Sequence, residues 1–247
     1  MQRDKRLRIF CGPNGSGKST LFSKFKMHYN PGYFINADEL EKHLKSSGLI
    51  DLQPVGIKAT SRDLVIFSKT KEAKSLLDKA IAEGHIIDIE INENFIVDKA
   101  KDTHSYEASF AAAFIRQLLY KNNASFSFET VMSHHSKITE IKKAKKNGYK
   151  IYLYFICTDD IEININRVAN RVEQGGHAVN KNKISSRYER TLENLYDAVK
   201  LSNRVYLFDN SGKTLELIAE IFDGALQLKV DDLPKWFVEY VLPHYRV

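Results

Sequence analysis

Residues 12–19 read Gly-Pro-Asn-Gly-Ser-Gly-Lys-Ser and match the pattern G-x-x-x-x-G-K-[ST] without a gap. A short apolar strand is predicted just before them, at Leu7–Cys11, and an amphipathic helix just after, at Ser19–Tyr29. A glycine-rich turn between a strand and a helix surrounds a bound phosphate with backbone N–H groups and the helix N-terminus. The chain is therefore predicted to contain a phosphate-binding loop and to fold as an α/β protein.

The residue types in this loop predict which residues bind the phosphates and which bind the metal ion. The glycines let backbone N–H groups turn inward around the β-phosphate of a nucleoside triphosphate. Lys18 is expected to bridge the β- and γ-phosphates, and the Ser19 hydroxyl is expected to bind Mg²⁺. The predicted nucleotide-binding residues are Gly12, Pro13, Asn14, Gly15, Ser16, Gly17, Lys18, Ser19 and Thr20. ATP and Mg²⁺ are the expected cofactors, and the loop does not specify the phosphate acceptor.

Short apolar runs alternate with helical stretches along the rest of the chain, which is typical of an α/β protein with a mostly parallel sheet. The predicted strands are Tyr33–Asn36, Ser125–Phe128, Lys150–Cys157 and Arg204–Phe208, and the predicted helices are Ile161–Gln174 and Lys183–Leu201. Leu215–Val230 carries Asp223-Gly224 between apolar runs and is predicted to form a hairpin.

The segment from about residue 49 to residue 105 has a different pattern. It contains a helical stretch at Asp63–Glu83, followed by two short strands around Asn92-Glu93-Asn94. We expect a single domain over residues 1–247, with this α+β segment as an insertion packed on the edge of the sheet. The tail from about 233 to 247 carries aromatic and apolar residues at helical spacing, beginning with Trp236, and is expected to be a helix docked on the core.

The composition narrows the class of protein. Of the 247 residues, 43% are hydrophobic and 28% are charged, which is ordinary for a folded globular protein. No apolar run is long enough to span a membrane, and Cys11 and Cys157 form neither a metal motif nor a disulfide framework. A cytoplasmic protein is therefore expected. The net charge of +6 permits a nucleic acid ligand without requiring one, because the lysines are spread along predicted helices.

Two carboxylates follow predicted strands and are candidates for chemistry beside the phosphates. Asp38 follows the strand at Tyr33–Asn36, where a carboxylate can accept the proton of an acceptor hydroxyl. The alternative is that Asp38 caps a helix beginning at Glu39. Glu129 ends an alternating strand and can hold a substrate hydroxyl or a metal-bound water, or it can be a solvated strand end. Either Asp38 or Glu129 can be the second metal carboxylate.

Arginines on two predicted helices form a further candidate group. Arg167 and Arg171 share one helical face, and Arg187 and Arg190 follow on the next helix, after Gly175-Gly176-His177. Two such helices can close as a lid over a triphosphate, where guanidinium groups stabilise the transferring phosphoryl group and water is excluded. For any one arginine the alternative is an ion pair with a nearby glutamate.

Two turns that follow predicted strands also carry candidate residues. Thr158 or Asp159 is expected to cap the helix that starts near Ile161. Asn210 lies in the polar turn after the strand at Arg204–Phe208. It either lies beside the adenine base or belongs to a plain turn.

Taken in order, the segments GPNGSGKST, NADEL, FSFETVMS, RVANRVEQGGHAVNKNKISSRYERTLENL and VYLFDNSG resemble the zeta toxin family of P-loop kinases. The resemblance covers roughly Leu7–Glu41 and Tyr106–Gly224 and leaves out residues 49–105. It implies a kinase-type P-loop NTPase fold, a three-layer sandwich with an arginine-bearing helical lid. It also implies ATP-dependent phosphorylation of an amino-sugar hydroxyl on UDP-N-acetylglucosamine, with an antitoxin protein as a possible partner by analogy.

By position, the resemblance makes Asp38 the general base. The residues that it places around the acceptor are Asn36, Asp38, Glu129 and Thr130. Arg171 and Arg187 resemble the phosphate-stabilising pair, and the loop spacing leaves Arg167 and Arg190 as alternatives. The leading hypothesis is thus an ATP/Mg²⁺-dependent kinase of a small anionic hydroxyl substrate, such as a nucleotide sugar. The alternatives are a nucleotide-binding regulatory ATPase module and a polynucleotide 5′-hydroxyl kinase.

Overall fold

A computed structural model describes residues 4–100, 103–175 and 179–245 of the chain. The strands are β1 (Arg6–Cys11), β2 (Tyr33–Ile35), β3 (Leu49–Asp51), β4 (Ile89–Asn92), β5 (Phe95–Asp98), β6 (Phe126–Thr130), β7 (Lys150–Cys157), β8 (Arg204–Asp209), β9 (Glu216–Phe222) and β10 (Ala225–Leu228). The helices are α1 (Lys18–His28), α2 (Ala37–Ser47), α3 (Ser61–Ser68), α4 (Lys71–Ala82), α5 (Ser105–Lys121), α6 (Ser136–Lys146), α7 (Ile161–Glu173), α8 (Lys181–Glu193), α9 (Leu195–Leu201) and α10 (Lys235–Tyr240). The chain divides into two compact units, Met1–Gly32 with Ser127–Val247, and Tyr33–Phe126.

The first unit is built on a twisted sheet whose strands lie in the order β10-β9-β8-β7-β1-β6. Strand β7 pairs in parallel with β1 on one side and with β8 on the other, and β9 and β10 continue the sheet in antiparallel pairing. Every residue of β7 except Lys150 and Tyr152 is buried, as expected for a central parallel strand covered on both faces. The predicted α/β fold with a mostly parallel sheet is confirmed.

Helices cover both faces of this sheet and give the unit three layers. Phe10 of β1 contacts Phe22 of α1 with ring centroids 5.2 Å apart. Phe155 of β7 contacts Trp236 of α10 with centroids 5.4 Å apart. Because Phe10 pairs in register with Tyr154, Phe155 points to the opposite face. The two helices therefore pack on opposite sides of the same sheet.

The hairpin predicted at Leu215–Val230 is confirmed as β9 and β10. Asp223 and Gly224 join the two strands with φ angles of 45° and 86°. A two-residue turn with both φ values positive matches the right-handed twist of the flanking strands, and Asp-Gly adopts it with little strain. The tight turn follows directly from the sequence.

Three local predictions need correction. The helical stretch predicted at Asp63–Glu83 is two helices, α3 and α4, because the Thr70 side chain accepts a hydrogen bond from Ala73 N and starts a new helix. The stretch predicted at Lys183–Leu201 is α8 and α9, which meet at Asn194. The N-cap of α7 is Asp160 rather than Thr158 or Asp159, since its carboxylate accepts from Glu162 N at 2.9 Å.

The second unit contains β2 to β5 and α2 to α5, and residues 49–105 lie within it. Helix α2 packs against α5, and β3, β5 and β4 form a small antiparallel sheet in that order. The two strands predicted around residues 92–94 are confirmed as β4 and β5. Asn94 between them accepts a hydrogen bond from Ala59 N at 2.9 Å and donates to Ile57 O at 3.0 Å, which fixes the preceding loop.

No helix in the described ranges has both the length and the apolar character needed to cross a lipid bilayer.

Helix α10, within the segment where the sequence predicts a docked helix, packs on the sheet of the first unit. Trp236 is 2% exposed. Its backbone N–H donates to Asp159 Oδ1 at 3.2 Å, and its indole Nε1–H donates to Asp209 Oδ2 at 2.9 Å. Asp159 and Asp209 lie at the carboxyl ends of β7 and β8, so α10 is anchored at that end of the sheet.

Replacing Trp236 by Phe is expected to lower the free energy of unfolding by about 1–3 kcal/mol, because it leaves a partly buried carboxylate without its indole donor. Thermal unfolding followed by circular dichroism measures the change. Val238→Ala on the same helix is the matched control: Val238 is 42% exposed, and its replacement should stay within about 0.5 kcal/mol of wild type. Equal stability of Trp236→Phe and wild type would refute this role of the indole.

Candidate functional site: the phosphate loop and its surroundings

Two asparagine side chains from outside the phosphate loop hold its backbone. Asn164 Nδ2 donates to Asn14 O at 2.6 Å, and Asn210 Nδ2 donates to Ser16 O at 2.7 Å. In a trans peptide the C=O and the following N–H point in opposite directions. The N–H groups of Gly15 and Gly17 therefore face away from these amides, and within the described ranges neither donates to a protein acceptor. This arrangement suits a loop that presents N–H groups to an anion.

The glycines at the two held positions are required by space as well as by backbone angle. A Cβ on Gly15 would lie 2.6 Å from Asn164 O, and a Cβ on Gly17 would lie 2.5 Å from Asn210 Nδ2. Their φ angles are 78° and 103°. Any side chain at either position would push the asparagine away from the loop.

Two further polar atoms of the loop are buried and have no hydrogen-bond partner within the part of the chain that the structure describes. They are Asn14 Oδ1 and Ser16 Oγ. Buried polar atoms are normally satisfied, so orphaned ones call for a specific cause. Their location in the loop fits a site that is completed by a polar ligand.

The ammonium of Lys18, the hydroxyl of Ser19 and the carboxylate of Glu129 converge at the start of α1. Lys18 is 7% exposed, and its Nζ donates to Gly12 O at 2.9 Å and to Pro13 O at 2.8 Å. The same Nζ lies 4.0 Å from Glu129 Oε1. Ser19 Oγ donates to Glu129 Oε2 at 3.0 Å. Thr20 follows on α1 and is exposed.

Glu129 reaches this position because β6 lies next to β1 in the sheet. Its side chain is 13% exposed. A hydroxyl and a carboxylate side by side are the oxygen ligands with which proteins hold Mg²⁺ against substrate phosphates. No cluster of three or more His, Cys, Asp or Glu side chains among the described residues could hold a metal ion alone. The geometry thus fits a cation that phosphate oxygens and water help to bind.

Thr130 holds the turn that follows Glu129. Its Oγ1 accepts a hydrogen bond from Met132 N at 3.1 Å, and Met132 has a φ of 62°, which is unusual for a residue other than glycine. Helix α8 fastens the same turn, since Thr191 Oγ1 donates to Val131 O at 2.9 Å. The contact of Thr130 with an acceptor stays a prediction.

Asp38 lies in the first turn of α2 and does not cap it. Helix α2 begins at Ala37, and its N-cap is Asn36, whose Oδ1 accepts from Asp38 N at 2.8 Å and from Glu39 N at 3.3 Å. The capping alternative for Asp38 is therefore wrong. The carboxylate of Asp38 is exposed and forms no hydrogen bond or ion pair within residues 4–100, 103–175 and 179–245. The roles of Asp38 as base and of Asn36 in substrate binding stay predictions.

The predicted arginines lie on α7 and α8, and two of the four have a clear orientation relative to the loop. Arg167 and Arg171 are three and seven residues after Asn164, so they share the helical face that touches the loop. Arg167 Nη1 is buried without a hydrogen-bond partner among the described residues. Arg167 and Arg171 therefore lie on the face of α7 that meets the phosphate loop at Asn164, and a contact of either guanidinium with phosphate stays a prediction.

On α8 the two arginines differ. Arg190 is exposed and folds back on its own helix, with Nε donating to Ser186 O at 2.9 Å. Arg187 is half-buried and precedes Tyr188, which anchors α8 through its hydroxyl. This difference favours Arg187 over Arg190 as a phosphate ligand, and the role itself stays a prediction. His177 lies outside the described residues.

Of the two asparagines that hold the loop, the sequence analysis identifies Asn210 as a candidate and misses Asn164. The sequence places Asn210 either beside the adenine base or in a plain turn; its amide holds Ser16 O, and any contact with the base stays a prediction. Asn164 was not expected at all. The signal that could have found it is a polar residue at an otherwise apolar position of α7, one turn before the buried Val168.

Both cysteines are fully buried thiols next to this site, on β1 and β7. Burial raises the pKa of the Cys157 thiol to about 12 and also raises the pKa of the Cys11 thiol. A raised pKa keeps both sulfurs in the thiol form near neutral pH, and a thiol is a weaker nucleophile than a thiolate. Cys11 and Cys157 act as small apolar side chains, as their apolar surroundings in the sequence predict.

The model of one protein family, described as zeta toxin, matches residues 90–219, which is more than half of the chain. An uncharacterized protein of Haemophilus influenzae (strain Rd) is 35% identical over 68 residues, which are 28% of this chain and 49% of that protein.

Among solved structures, the AvrRxo1-ORF1:AvrRxo1-ORF2 complex with sulphate ions has a TM-score of 0.56 and 17% identity, covering 100% of this chain and 66% of the other. The same complex with ATP has a TM-score of 0.53 and 16% identity, covering 92% and 61%. The chain thus spans about half to two thirds of the length of these relatives. At this level of identity the likeness shows the fold.

Replacing Gly17 by Ala is expected to lower the free energy of unfolding by about 1–3 kcal/mol, because the new Cβ meets the Asn210 amide and the backbone angle becomes strained. Urea unfolding measures the effect. Gly212→Ala is the control, since a Cβ there meets no atom within 4 Å, and its effect should stay within about 0.5 kcal/mol. If both variants unfold alike, the loop is not held by Asn210 in solution.

Proposed function

Because the chain belongs to the zeta toxin family, we propose that it is an ATP/Mg²⁺-dependent phosphotransferase. Its acceptor is a hydroxyl of a small anionic substrate, in particular a nucleotide sugar such as UDP-N-acetylglucosamine. The observation that carries this proposal is the convergence of Lys18, Ser19 and Glu129 beside a loop with inward N–H groups. A protein of the same fold has been solved with ATP, which supports the choice of nucleotide.

In this proposal the loop binds the phosphates and the residues around it hold the charges. The N–H groups of Gly15 and Gly17 donate to phosphate oxygens, and Lys18 exchanges its two carbonyl acceptors for the β- and γ-phosphates. Ser19 and Glu129 would hold Mg²⁺, which when bound neutralises charge on the phosphate oxygens.

Transfer then requires a base and a cationic partner for the moving phosphoryl group. Asp38 accepts the proton of the acceptor hydroxyl as that oxygen attacks the γ-phosphorus, and the bond to the leaving ADP oxygen breaks. Arg171 and Arg187 stabilise the charge on the phosphoryl oxygens, and the helices that carry them exclude water. Asn36, Glu129 and Thr130 position the acceptor.

The family and the charge of the chain guide the choice of partners. The net charge of +6 favours an anionic acceptor, and a nucleotide sugar has both a free hydroxyl and a diphosphate. A second proposed partner is an antitoxin protein. The proposal does not include nucleic acid as a partner. We place the protein in the cytoplasm, where ATP is available and the two buried thiols stay reduced.

The proposal is tested by measuring ADP release from ATP with Mg²⁺ and one acceptor at a time. We expect UDP-N-acetylglucosamine to stimulate turnover and 5′-hydroxyl oligonucleotides to leave it unchanged, with a phosphorylated sugar nucleotide detected by mass spectrometry. Lys18→Ala should remove this activity while the protein remains folded, because the charge that acts on the transferring phosphate is lost. Acceptor-independent ATP hydrolysis alone would favour the regulatory ATPase, and stimulation by the oligonucleotide would favour the polynucleotide kinase.

Arg171→Ala and Arg187→Ala should each lower kcat by roughly 10³-fold or more, with a smaller effect on ATP binding, because the guanidinium acts on the transition state. Steady-state kinetics with saturating acceptor measures both parameters. Arg190→Ala is the matched control on α8, and it should retain kcat because Arg190 is exposed and bound to its own helix. Unchanged kcat in the Arg171 and Arg187 variants would make these arginines structural.

Asp38→Asn should abolish acceptor phosphorylation while ATP binding and the melting temperature stay near the wild-type values. Asparagine is a useless base at neutral pH, whereas general-base catalysis is worth typically about 10²–10⁴-fold. The α2 cap survives, since Asn36 bonds the backbone N–H of Asp38 and not its carboxylate. Glu39→Gln in the same turn is the control and should transfer phosphate normally. Normal transfer by Asp38→Asn would remove Asp38 from the mechanism.

A further inference from the structure

We propose that Asn164 is a positioning residue that sets the arginine-bearing helix α7 on the phosphate loop. This inference deepens the proposed function and rests on it. Asn164 is fully buried, and both ends of its amide are used. Its Nδ2 donates to Asn14 O at 2.6 Å, while its Oδ1 accepts a hydrogen bond from Thr158 Oγ1 at the end of β7. The side chain thus links the loop, the central strand and α7.

The backbone of α7 is pressed against the loop at the same point. A Cβ on Gly15 would lie 2.6 Å from Asn164 O and 3.1 Å from Asn164 Cα. The first turn of α7 therefore rests directly on the loop, and only glycine allows this approach. The contact at Asn164 is tight. Loss of the Asn164 hydrogen bond is therefore expected to tilt or displace the first turn of α7 relative to the loop.

The geometry of a helix transmits this contact to the arginines. Arg167 and Arg171 lie on the Asn164 face, and Arg171 is seven residues further along, about 10 Å along the axis. Because an α-helix is rigid over two turns, a tilt at its first turn displaces the guanidinium groups at the other end. Misplacing a catalytic group by 1 Å can cost about 10²-fold in rate.

Helix α8 is fastened to the same strand end. Tyr188 Oη donates to Thr158 O at 2.5 Å, so Thr158 bonds Asn164 through its hydroxyl and Tyr188 through its carbonyl. Thr158 is itself fully buried. Both arginine-bearing helices therefore form a hydrogen bond with Thr158. Asn164 connects Thr158 to the phosphate loop.

Two variants of Asn164 test the inference against a matched control. Asn164→Asp keeps an acceptor for Thr158 and loses the donor to Asn14 O, and Asn164→Ala loses both without adding a charge. Asn166→Ala replaces the same residue type on the opposite, exposed face of α7. Melting temperatures identify any variant that does not fold, and either Asn164 variant suffices if the other fails.

Steady-state kinetics are measured in wild type and in the Arg167→Ala/Arg171→Ala background. We expect the Asn164 variants to lower kcat by about 10²-fold in wild type, with KM for ATP within about threefold. In the Arg167→Ala/Arg171→Ala background the same substitutions should lower kcat by less than about threefold, because the two guanidinium groups that Asn164 positions are gone. Equal losses in both backgrounds would overturn the inference and leave the phosphotransferase function intact.

Amide hydrogen exchange separates failure of this inference from failure of the proposed function. Binding of ATP should slow exchange in residues 161–173 of wild type and Asn166→Ala, and it should not do so in Asn164→Ala. Equal protection in Asn164→Ala overturns the inference even if phosphate transfer is observed. Protection in wild type without any transfer refutes the proposed function and supports the physical link. If the Arg167→Ala/Arg171→Ala variant keeps the wild-type kcat, the inference is also overturned, because α7 then carries no arginine that contributes to catalysis.

Discussion

The phosphate loop depends on two hydrogen bonds that turn its carbonyl oxygens outward. Asn164 and Asn210 donate to Asn14 O and Ser16 O, and trans peptide geometry then directs the following N–H groups to the other side. Glycine at position 15 allows the backbone of Asn164 to come this close, and glycine at position 17 does the same for the Asn210 amide. A loop of this shape has its donors in place before any anion arrives, so little reorganisation accompanies binding.

The charged side chains beside the phosphate loop are also held in place by hydrogen bonds and ionic contacts. The Lys18 ammonium is held by two loop carbonyls and lies 4.0 Å from Glu129, whose other oxygen accepts from Ser19. A buried ammonium without such partners would be strongly unfavourable. The carboxylate thus has a double role in the account, as a partner for the lysine and as a ligand beside the serine hydroxyl.

The sequence was sufficient where the signal is local and insufficient where it depends on distant contacts. The loop, β7 and the Asp223-Gly224 hairpin follow from short patterns. The choice between Asp38 and Glu129 beside Ser19 stayed open because Glu129 is 110 residues from Ser19 and its position depends on strand order. Asn164 escaped notice for the same reason, 150 residues from the carbonyl it holds. Capping of α2 by Asp38 stayed open as an alternative because Asn and Asp are equally good caps in isolation, and the structure gives that role to Asn36.

The most direct test of the central claim is the Mg²⁺ dependence of ATP binding, measured by titration calorimetry in wild type and in Glu129→Gln. If Ser19 and Glu129 hold the metal against the phosphates, Mg²⁺ should tighten ATP binding by wild type by about tenfold or more, and this gain should be lost in the variant. A Glu129→Gln protein that keeps the full Mg²⁺ effect, or a wild type that shows none, would contradict the account of this site.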